Sequence, residues 1–402
     1  MRTPAPTAVL PADATRATLV GRVWRQVSAG RPAGPTVVAL RGDDLIDITA
    51  HTPTMADLLE RPDALRLAQH ADGEHLGSVR ALIETSLRPA GDARLPGTPH
   101  LLAPCDVQAL KACGVTFAVS LLERLIEERC AGDASRADAL RTDLQATLGS
   151  DLSQMKPGSP AALRLKEELV RRGAWSPYLE VGIGPDAEVF SKSQPMSAVG
   201  LGAAVGLHPD SHWNNPEPEI VLAVNSRGEV VGATLGNDVN LRDIEGRSAL
   251  LLGKAKDNNG SCAIGPFIRL FDGRHFTLDT VRQAEVGLHI EGMDDGFVLE
   301  GVSRMREISR DPLDLVAQTC GAHHQYPDGF MLFLGTMFSP IQDRDAKGGG
   351  FTHHLGDRVT ISSPCLGALV NTVQRSDAIA PWTFGVRALY ANLAQRGLGA
   401  VR

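Results

Sequence analysis

The chain has 402 residues, carries a net charge of −7 and is 43% apolar. This length gives ample material for a hydrophobic core and exceeds that of one small domain. The acidic charge balance and the missing basic stripe argue against nucleic acid as a partner. No apolar run reaches the roughly 18 residues that a membrane helix needs, and the N-terminus lacks a signal-peptide pattern. We therefore expect a cytoplasmic protein that has no nucleic-acid or membrane partner.

The first part of the chain, residues 1–105, alternates short apolar runs with proline and glycine. This pattern predicts strands joined by turns, with strand-like runs near 17–24 and 36–43. Short helices are predicted at 54–70 and 77–86. We interpret this segment as a small N-terminal α+β domain.

Helical spacing of apolar residues dominates the next part, residues 106–175. Leucine and isoleucine recur at helical intervals near 121–126, with charged residues between them. Two further helices are predicted at 134–148 and 160–172. We interpret this part as a connecting segment with a helical insertion.

Residues 176–402 have a mainly β pattern, in which short apolar runs alternate with turns of glycine, asparagine and aspartate. The predicted strands are Glu219–Asn225, Glu229–Leu235, Glu285–Glu291, Met331–Leu334, Arg358–Ser362 and Ala368–Val373. Such regular strands with little helix between them indicate a β-sandwich or roll rather than a doubly wound sheet. The whole chain is therefore predicted to be mixed α+β and mainly β, with the catalytic domain at its C-terminal end.

Three carboxylates in the β-rich part carry most of the functional information. Glu217 and Glu219 lie two residues apart on a predicted strand, so their side chains point to the same side. Asp238 follows a hairpin-like return of the chain and completes the set. Three hard oxygen donors suit Mg²⁺ or Mn²⁺ and suit zinc poorly. On spacing alone, the two glutamates fit an exposed edge strand better than a metal site.

The segments around these carboxylates resemble the fumarylacetoacetate hydrolase superfamily. The matching blocks, in the order that the family has them, are Pro216–Ile220, Gly236–Asp243, Lys256 with Gly265-Pro266, and Gly335-Thr336. The resemblance covers residues 178–380 and implies a fumarylacetoacetate-hydrolase-like β-sandwich roll. It also implies that Glu217, Glu219 and Asp238 hold Mg²⁺, with Mn²⁺ as the alternative.

A closer resemblance is to the branch of this superfamily that dehydrates 2-keto-3-deoxy-D-xylonate or 2-keto-3-deoxy-D-arabinonate. The runs that carry it are residues 114–120, 211–219, 255–259 and 324–330. This resemblance implies a hydro-lyase that converts a 2-keto-3-deoxy-D-pentonate into 2,5-dioxopentanoate. It further implies that the protein forms a homodimer or homotetramer. Its expected ligand is a small 2-keto sugar acid.

One departure from the superfamily separates two possible reactions. Hydrolases of the superfamily contain a segment that resembles the pattern G-x-N-Y-x-x-H-x-x-E. In these hydrolases the histidine and the glutamate activate water. Here the same frame runs from Gly114 through Ser120 to Glu123, so a serine stands at the histidine position. The absence of the usual base argues against a hydrolase, which must activate water. A dehydratase needs no attacking water.

Two alternatives to a dehydratase stay open at this point. The first is a hydrolase that cleaves the C–C bond of a 2,4-diketo-3-deoxy sugar acid or an acylpyruvate, with a histidine supplied by another segment. The second is a metal-dependent binding or scaffold protein without turnover.

The resemblance also implies catalytic roles for Lys256, Glu123 and Glu245. A neighbouring metal would lower the pKa of Lys256 and make it an acid–base group. Glu245 replaces a residue that is often glutamine in the hydrolases and would add a second acid–base group. The structural alternatives are a solvated helix face for Glu123 and a surface position for Lys256, with Lys254 as its rival.

Ser120, Arg242 and Thr336 are the predicted substrate-binding residues. The guanidinium group of Arg242 suits the substrate carboxylate, because its fork binds a carboxylate in bidentate fashion. The structural alternatives are a packing role for Ser120, an ion pair with Asp243 or Glu245 for Arg242, and a turn-forming hydroxyl for Thr336.

Overall fold

The structure is a computed structural model. It describes residues 6–25, 32–88, 98–131, 133, 137, 140, 156–171, 175–336, 338 and 340–398. The helix predicted at 134–148 lies almost entirely outside the described residues. Within them, no helix is long and apolar enough to cross a membrane.

Strands account for most of the core. In chain order they are β1 (Leu19–Arg25), β2 (Gly34–Arg41), β3 (Asp44–Asp47), β4 (Glu74–Ser78), β5 (His100–Leu102), β6 (Ala109–Gly114), β7 (Glu188–Ser193), β8 (Ala204–Leu207), β9 (Pro218–Val224), β10 (Val230–Asp238), β11 (Cys262–Leu270), β12 (Glu285–Glu291), β13 (Val298–Arg304), β14 (Phe330–Phe333), β15 (Arg358–Ser363) and β16 (Gly367–Arg375).

Helices are short and lie between the strands. In chain order they are α1 (Pro6–Val9), α2 (Met55–Glu60), α3 (Ala64–His70), α4 (Val79–Ser86), α5 (Ala118–Cys130), α6 (Pro160–Arg171), α7 (Pro177–Ile183), α8 (Arg242–Glu245), α9 (Leu252–Lys256), α10 (Leu278–Arg282), α11 (Pro312–Thr319) and α12 (Val386–Gln395). In the part of the chain that the structure describes, 3₁₀ turns occur at Ala249–Leu251 and Met305–Glu307.

The strands form two sheets that pack face to face. The larger sheet has 11 strands in the order β4-β3-β2-β1-β11-β10-β9-β14-β6-β7, with β5 paired to β1. The smaller sheet has 5 strands in the order β13-β12-β15-β16-β8. This arrangement confirms the predicted fold class, a mixed fold that is mainly β and built as a sandwich.

Strand β9 lies at the centre of the larger sheet and is buried on both faces. Ile220 and Leu222 point into the core between the sheets, where they join Leu288 of the smaller sheet. Val221 and Ala223 point the other way and pack with the buried faces of α2 and α3. The carboxylates that begin this strand are therefore carried on one of the most firmly packed elements of the protein.

The N-terminal strands are continuous with the rest of the larger sheet, because β1 pairs with β11 through Leu19 and Val20. Strand β11 itself is missing from the predicted elements. All of its residues are buried, so it has no alternating polar pattern, and Gly265-Pro266 interrupts its apolar run. The division of the chain at residues 105 and 175 stays a prediction.

Candidate active site

The three candidate metal ligands lie on one face of the pair β9 and β10. The amide of Asp238 donates to the carbonyl of Glu217 at 3.0 Å, and Glu219 lies opposite Gly236 in the register. Residues opposite each other in antiparallel strands share a face, so Asp238 joins the two glutamates. One ligand oxygen from each lies within 4.8 Å of the others, and all three residues are buried.

Burial and mutual repulsion shift the proton affinities of these carboxyl groups. Burial raises the pKa of Glu219 well above its usual range, and the neighbouring Asp238 and Glu217 raise it further. The only hydrogen bond described for Glu219 comes from the amide of Gly335, at 2.6 Å. Burial also raises the pKa of Glu217, although Lys256 and Arg124 oppose the shift.

Two buried lysines flank Asp238. The ammonium nitrogen of Lys256 lies 3.1 Å from Oδ2 of Asp238 and 3.0 Å from Oε2 of Glu217. The ammonium nitrogen of Lys192 lies 2.8 Å from Oδ1 of Asp238. Burial favours the neutral acid, but these two cations outweigh it and hold the pKa of Asp238 below its usual range.

The position of Lys256 next to the acidic set fits its predicted role. Burial favours the neutral amine, yet the pKa of Lys256 is raised by Asp238, Glu217 and Glu245. The expected lowering of this pKa by a metal concerns the metal-bound protein and stays a prediction. The rival Lys254 is half-exposed and pairs with Asp210 at 2.8 Å, away from the acidic set.

An alternating row of charges continues from Glu217 into helix α5. Nη2 of Arg124 donates to Glu217 at 3.0 Å, and its Nη1 donates to Glu127 at 2.7 Å. Nε of Arg242 donates to the other oxygen of Glu127 at 2.6 Å, and its Nη2 donates to Glu123 at 2.9 Å. The ligand strands and the helical segment are thereby joined by buried ion pairs.

These carboxylates surround a small cavity. Its walls are formed by residues from β6, α5, β7, β9, β10, α8 and the segment after β14, namely Cys113, Gly114, Val115, Ser120, Arg124, Glu188, Phe190, Glu217, Glu219, Asp238, Glu245 and Thr336. Ser120, Glu245 and Thr336 were predicted at the site and lie on its wall.

The hydroxyl groups of Ser120 and Thr336 already have backbone partners. Ser120 Oγ donates to the carbonyl of Phe117 at 2.9 Å and accepts from its amide at 3.2 Å, which caps helix α5. Thr336 Oγ1 lies 3.2 Å from the carbonyl of Pro218. Both residues shape the cavity wall, and their contact with substrate stays a prediction.

Glu123 and Arg242 are not among the residues of the cavity wall, although the sequence placed both at the site. Arg242 is fully buried behind the wall, where its third nitrogen donates to the carbonyl of Pro340 at 3.2 Å. The ring of Trp213 lies 4.7 Å from its guanidinium carbon. Arg242 therefore connects parts of the protein to each other, and Arg124 presents the guanidinium group to the cavity.

The sequence analysis missed Arg124, Glu188 and Lys192. Glu188, Phe190 and Lys192 lie two apart on β7 and therefore share one face of the strand. The first two line the cavity. Burial raises the pKa of Glu188 to about 7, and Glu245 adds to the shift. The alternation Glu-x-Phe-x-Lys was the signal that would have identified this strand.

The donor set suits a divalent cation. Together, the cavity, the charge row and the two lysines beside Asp238 include seven carboxylates, Glu123, Glu127, Glu188, Glu217, Glu219, Asp238 and Glu245, and four cations, Arg124, Lys192, Arg242 and Lys256. A buried excess of negative charge is costly unless it is balanced. A cation with two positive charges, bound by oxygen ligands, would reduce that excess.

A second group of possible metal ligands, Asp294, Asp295 and His354, lies nearer the surface. Here the charges are already paired. Nδ1 of His354 lies 2.8 Å from Asp294, and its Nε2 lies 2.9 Å from Asp345. Arg344 lies 2.8 Å from Asp295 and occupies the middle of the group.

The chain is similar in sequence to two curated proteins. No family model matches the chain. A probable 2-keto-3-deoxyxylonate dehydratase of Haloferax volcanii is 29% identical over 294 residues, which cover 71% of this chain and 96% of that protein. A 2-dehydro-3-deoxy-D-arabinonate dehydratase of Saccharolobus solfataricus is 30% identical over 194 residues, 47% of this chain and 59% of that protein.

Two solved structures share the fold. A 2-keto-3-deoxy-D-arabinonate dehydratase complexed with magnesium and 2,5-dioxopentanoate superposes with a TM-score of 0.59 at 20% identity, covering 89% of this chain and 99% of that one. A fumarylacetoacetate hydrolase from Exiguobacterium antarcticum gives a TM-score of 0.51 at 16% identity, covering 89% of this chain and all (100%) of that one. The chain has the fumarylacetoacetate hydrolase fold. The predicted resemblance and the predicted enzyme class, a hydro-lyase, are confirmed, because both curated relatives are named as dehydratases.

Within this fold, the cavity lacks the base that the hydrolase pattern requires. Among the described residues of the cavity wall, none is a histidine. The nearby buried His353 instead pairs with Asp357 at 2.9 Å. The alternative in which another segment supplies a histidine finds no support in the described residues.

Proposed function

We propose that the chain is a Mg²⁺-dependent dehydratase that converts a 2-keto-3-deoxy-D-pentonate, derived from D-xylonate or D-arabinonate, into 2,5-dioxopentanoate. The observation that carries the proposal is the cavity itself, in which three ligand carboxylates lie beside further acid–base groups and the described wall has no histidine. The names of the curated relatives support the same reaction. Magnesium in a structure of the same fold supports the choice of cation.

In this proposal, Glu217, Glu219 and Asp238 hold the cation. When bound, a divalent cation supplies Lewis acidity toward the keto oxygen of a 2-keto acid, which makes the neighbouring C3 protons more acidic. The protein supplies the remaining chemistry. Arg124, at the cavity wall, offsets the negative charge of the ligands and of the incoming carboxylate.

The reaction removes one water molecule and moves protons between three carbon atoms. A carboxylate takes a C3 proton, and the C4 hydroxyl accepts a proton and leaves as water. Loss of a C5 proton and return of a proton to C3 then give an enol at C4 and C5. This enol becomes the C5 aldehyde when its hydroxyl proton is lost and C4 gains a proton. We assign these transfers to Glu188 and Glu245, which line the cavity outside the ligand set, and to Lys256. Lys256 is not on the described wall, but its ammonium nitrogen lies 3.6 Å from Oε2 of Glu245.

The direct test is to incubate the purified protein with Mg²⁺ and 2-keto-3-deoxy-D-xylonate and to identify the products by mass. We expect 2,5-dioxopentanoate, and no turnover in excess EDTA. Pyruvate together with a two-carbon fragment would contradict the proposal and identify a C–C bond-cleaving enzyme. Parallel assays with Mn²⁺ test the identity of the cation, and light scattering tests the expected homodimer or homotetramer.

Glu188 provides the sharpest test of the acid–base assignment. Glu188→Gln keeps the shape of the side chain and removes its proton transfer, so kcat is expected to fall at least about a hundredfold. The matched control is Glu180→Gln on α7, because Glu180 pairs with Lys166 and Trp175 outside the cavity. Equal activity of the two variants would remove Glu188 from the mechanism.

A further inference from the structure

Lys192 is a fully buried lysine that does not line the cavity. Three oxygen atoms surround its ammonium nitrogen. They are Oδ1 of Asp238 at 2.8 Å, the carbonyl of Lys256 at 2.9 Å and the carbonyl of Val239 at 3.5 Å. The two carbonyls accept hydrogen bonds from this ammonium group, and its contact with Asp238 is an ion pair.

The contact with Asp238 sets the direction of that carboxylate. One oxygen of Asp238 faces Lys192, and the other faces Lys256 at 3.1 Å beside Glu217. Because Lys192 holds the first oxygen from the far side, the carboxylate cannot rotate freely about its side-chain bond. The second oxygen is therefore kept toward the acidic set.

The contact of Lys192 with the carbonyl of Lys256 sets the position of the helix end that carries the Lys256 side chain. Lys256 is the last residue of α9, a helix of only 5 residues. Its carbonyl accepts from Lys192 and also from Ser261 Oγ at 2.5 Å. These two donors, from β7 and from the start of β11, anchor the end of the helix that carries the Lys256 side chain.

We propose that Lys192 is a positioning residue that orients the ligand Asp238 and the acid–base residue Lys256 together, without touching substrate. The inference rests on the proposed function only for the roles of those two residues. One ammonium group links the metal ligand set to the proton-transfer set, so its loss affects cation affinity and turnover at the same time.

The test compares Lys192→Met with Lys111→Met. Both variants remove a lysine from neighbouring paired strands, but Lys111 is half-exposed and contacts only Ser191 Oγ, at 3.2 Å, among the hydrogen bonds described for it. Titration calorimetry of Mg²⁺ on the full chain is expected to give a dissociation constant about 10- to 100-fold higher for Lys192→Met, the usual effect of losing a group that orients a metal ligand. At saturating Mg²⁺, kcat is also expected to fall about tenfold, while Lys111→Met matches the wild type in both.

The outcomes separate this inference from the proposed function. If folded Lys192→Met binds Mg²⁺ and turns over within twofold of the wild type, the positioning role is wrong. Tighter Mg²⁺ binding would also overturn it, because it would show that Lys192 merely competes with the cation. If the wild type has no dehydratase activity, the proposed function fails, but the calorimetric comparison still tests the contact with Asp238.

A second variant keeps the test decisive if Lys192→Met does not fold. The double variant Lys192→Met/Asp238→Asn removes both charges of the pair, so it is expected to fold and to melt at a higher temperature than Lys192→Met in EDTA. Removing one partner of a buried pair leaves an uncompensated charge, whereas removing both does not. Failure of the double variant to recover stability would show that Lys192 does not act through Asp238, and would overturn the inference.

Discussion

Two groups of side chains in this protein bring three possible metal ligands close together, and they differ in charge balance. Glu217, Glu219 and Asp238 are buried and belong to a cavity with more carboxylates than cations. Asp294, Asp295 and His354 are at or near the surface, and Arg344 and paired contacts already satisfy them. Proximity of ligand atoms is therefore a weak criterion. Burial without sufficient opposing charge is what distinguishes a site built for a cation.

The largest expected effect is on Mg²⁺ binding, and it is tested by one isosteric substitution in each group. Glu219→Gln is expected to weaken Mg²⁺ binding at least about a hundredfold and to remove turnover, because one anionic ligand is lost. Asp295→Asn is expected to leave both unchanged. Titration calorimetry and product formation measure the two effects, and a loss of Mg²⁺ binding in Asp295→Asn would reverse the comparison.

Stability in EDTA sharpens the same contrast, because the buried carboxylates of the cavity crowd one another, whereas Asp295 and Asp357 are paired with Arg344. Arg344 lies 2.7 Å from buried Asp357 as well as beside Asp295. Arg344→Met therefore leaves these carboxylates uncompensated and is expected to lower the free energy of unfolding by about 3 to 5 kcal/mol. Glu219→Gln removes a crowded carboxylate and is expected to raise it. Urea unfolding measures both, and changes of equal sign would contradict the contrast.

The stabilisation of the folded protein by Mg²⁺ is an expected effect of intermediate size. A cation that binds only the folded protein stabilises it by about 2.7 kcal/mol at a hundred times its dissociation constant. We expect Mg²⁺ to stabilise the wild type and Asp295→Asn by this amount, which is measured as a rise in melting temperature. We expect no rise for Glu219→Gln. If Glu219→Gln is stabilised as much as the wild type, Mg²⁺ binds elsewhere.

The smallest effect concerns the pH dependence of Asp357, a buried carboxylate that pairs with Arg344 next to the surface group. Burial works against it, but His353 and Arg344 hold the pKa of Asp357 below its ordinary value of 3.8. This carboxylate therefore contributes stability that is fully present above about pH 4 and is lost as the pH falls through its lower folded-state pKa. Asp357→Asn is expected to cost about 1.5 kcal/mol at pH 7, and the difference should shrink below pH 4 in acid unfolding curves. A difference that is constant to pH 2 would contradict the assignment.

The sequence predicted the centre of the site better than its surroundings. Strand periodicity places Glu217 and Glu219 on one side of a strand, and the resemblance to the superfamily then implied that they and Asp238 are metal ligands. The ends of Glu285–Glu291 were predicted as observed for a similar reason, since one face of that strand is buried and the other is not. The helix predicted at 160–172 agrees with α6, Pro160–Arg171.

Features that depend on distant contacts were predicted less well. Arg242 looked like a substrate contact because of its residue type, and only the fold shows that Glu123 and Glu127 surround it. Arg124 looked like one charge on a solvated helix, yet it reaches the cavity, where it donates to Glu217. Residues far apart in sequence decide which of two similar guanidinium groups faces the cavity, and the pattern near each one does not.

The alternating row of charges between helix α5 and the ligand strands limits how this protein can be re-engineered. Arg124 and Glu127 belong to α5, whereas Arg242 comes from α8, more than a hundred residues later, but each neutralises its neighbour. A chimera that takes the helix from one relative and the strands from another will therefore function only if the complete row is transferred. Recombination points chosen from sequence similarity alone would divide this set, so libraries designed for new sugar acids should vary these three residues jointly.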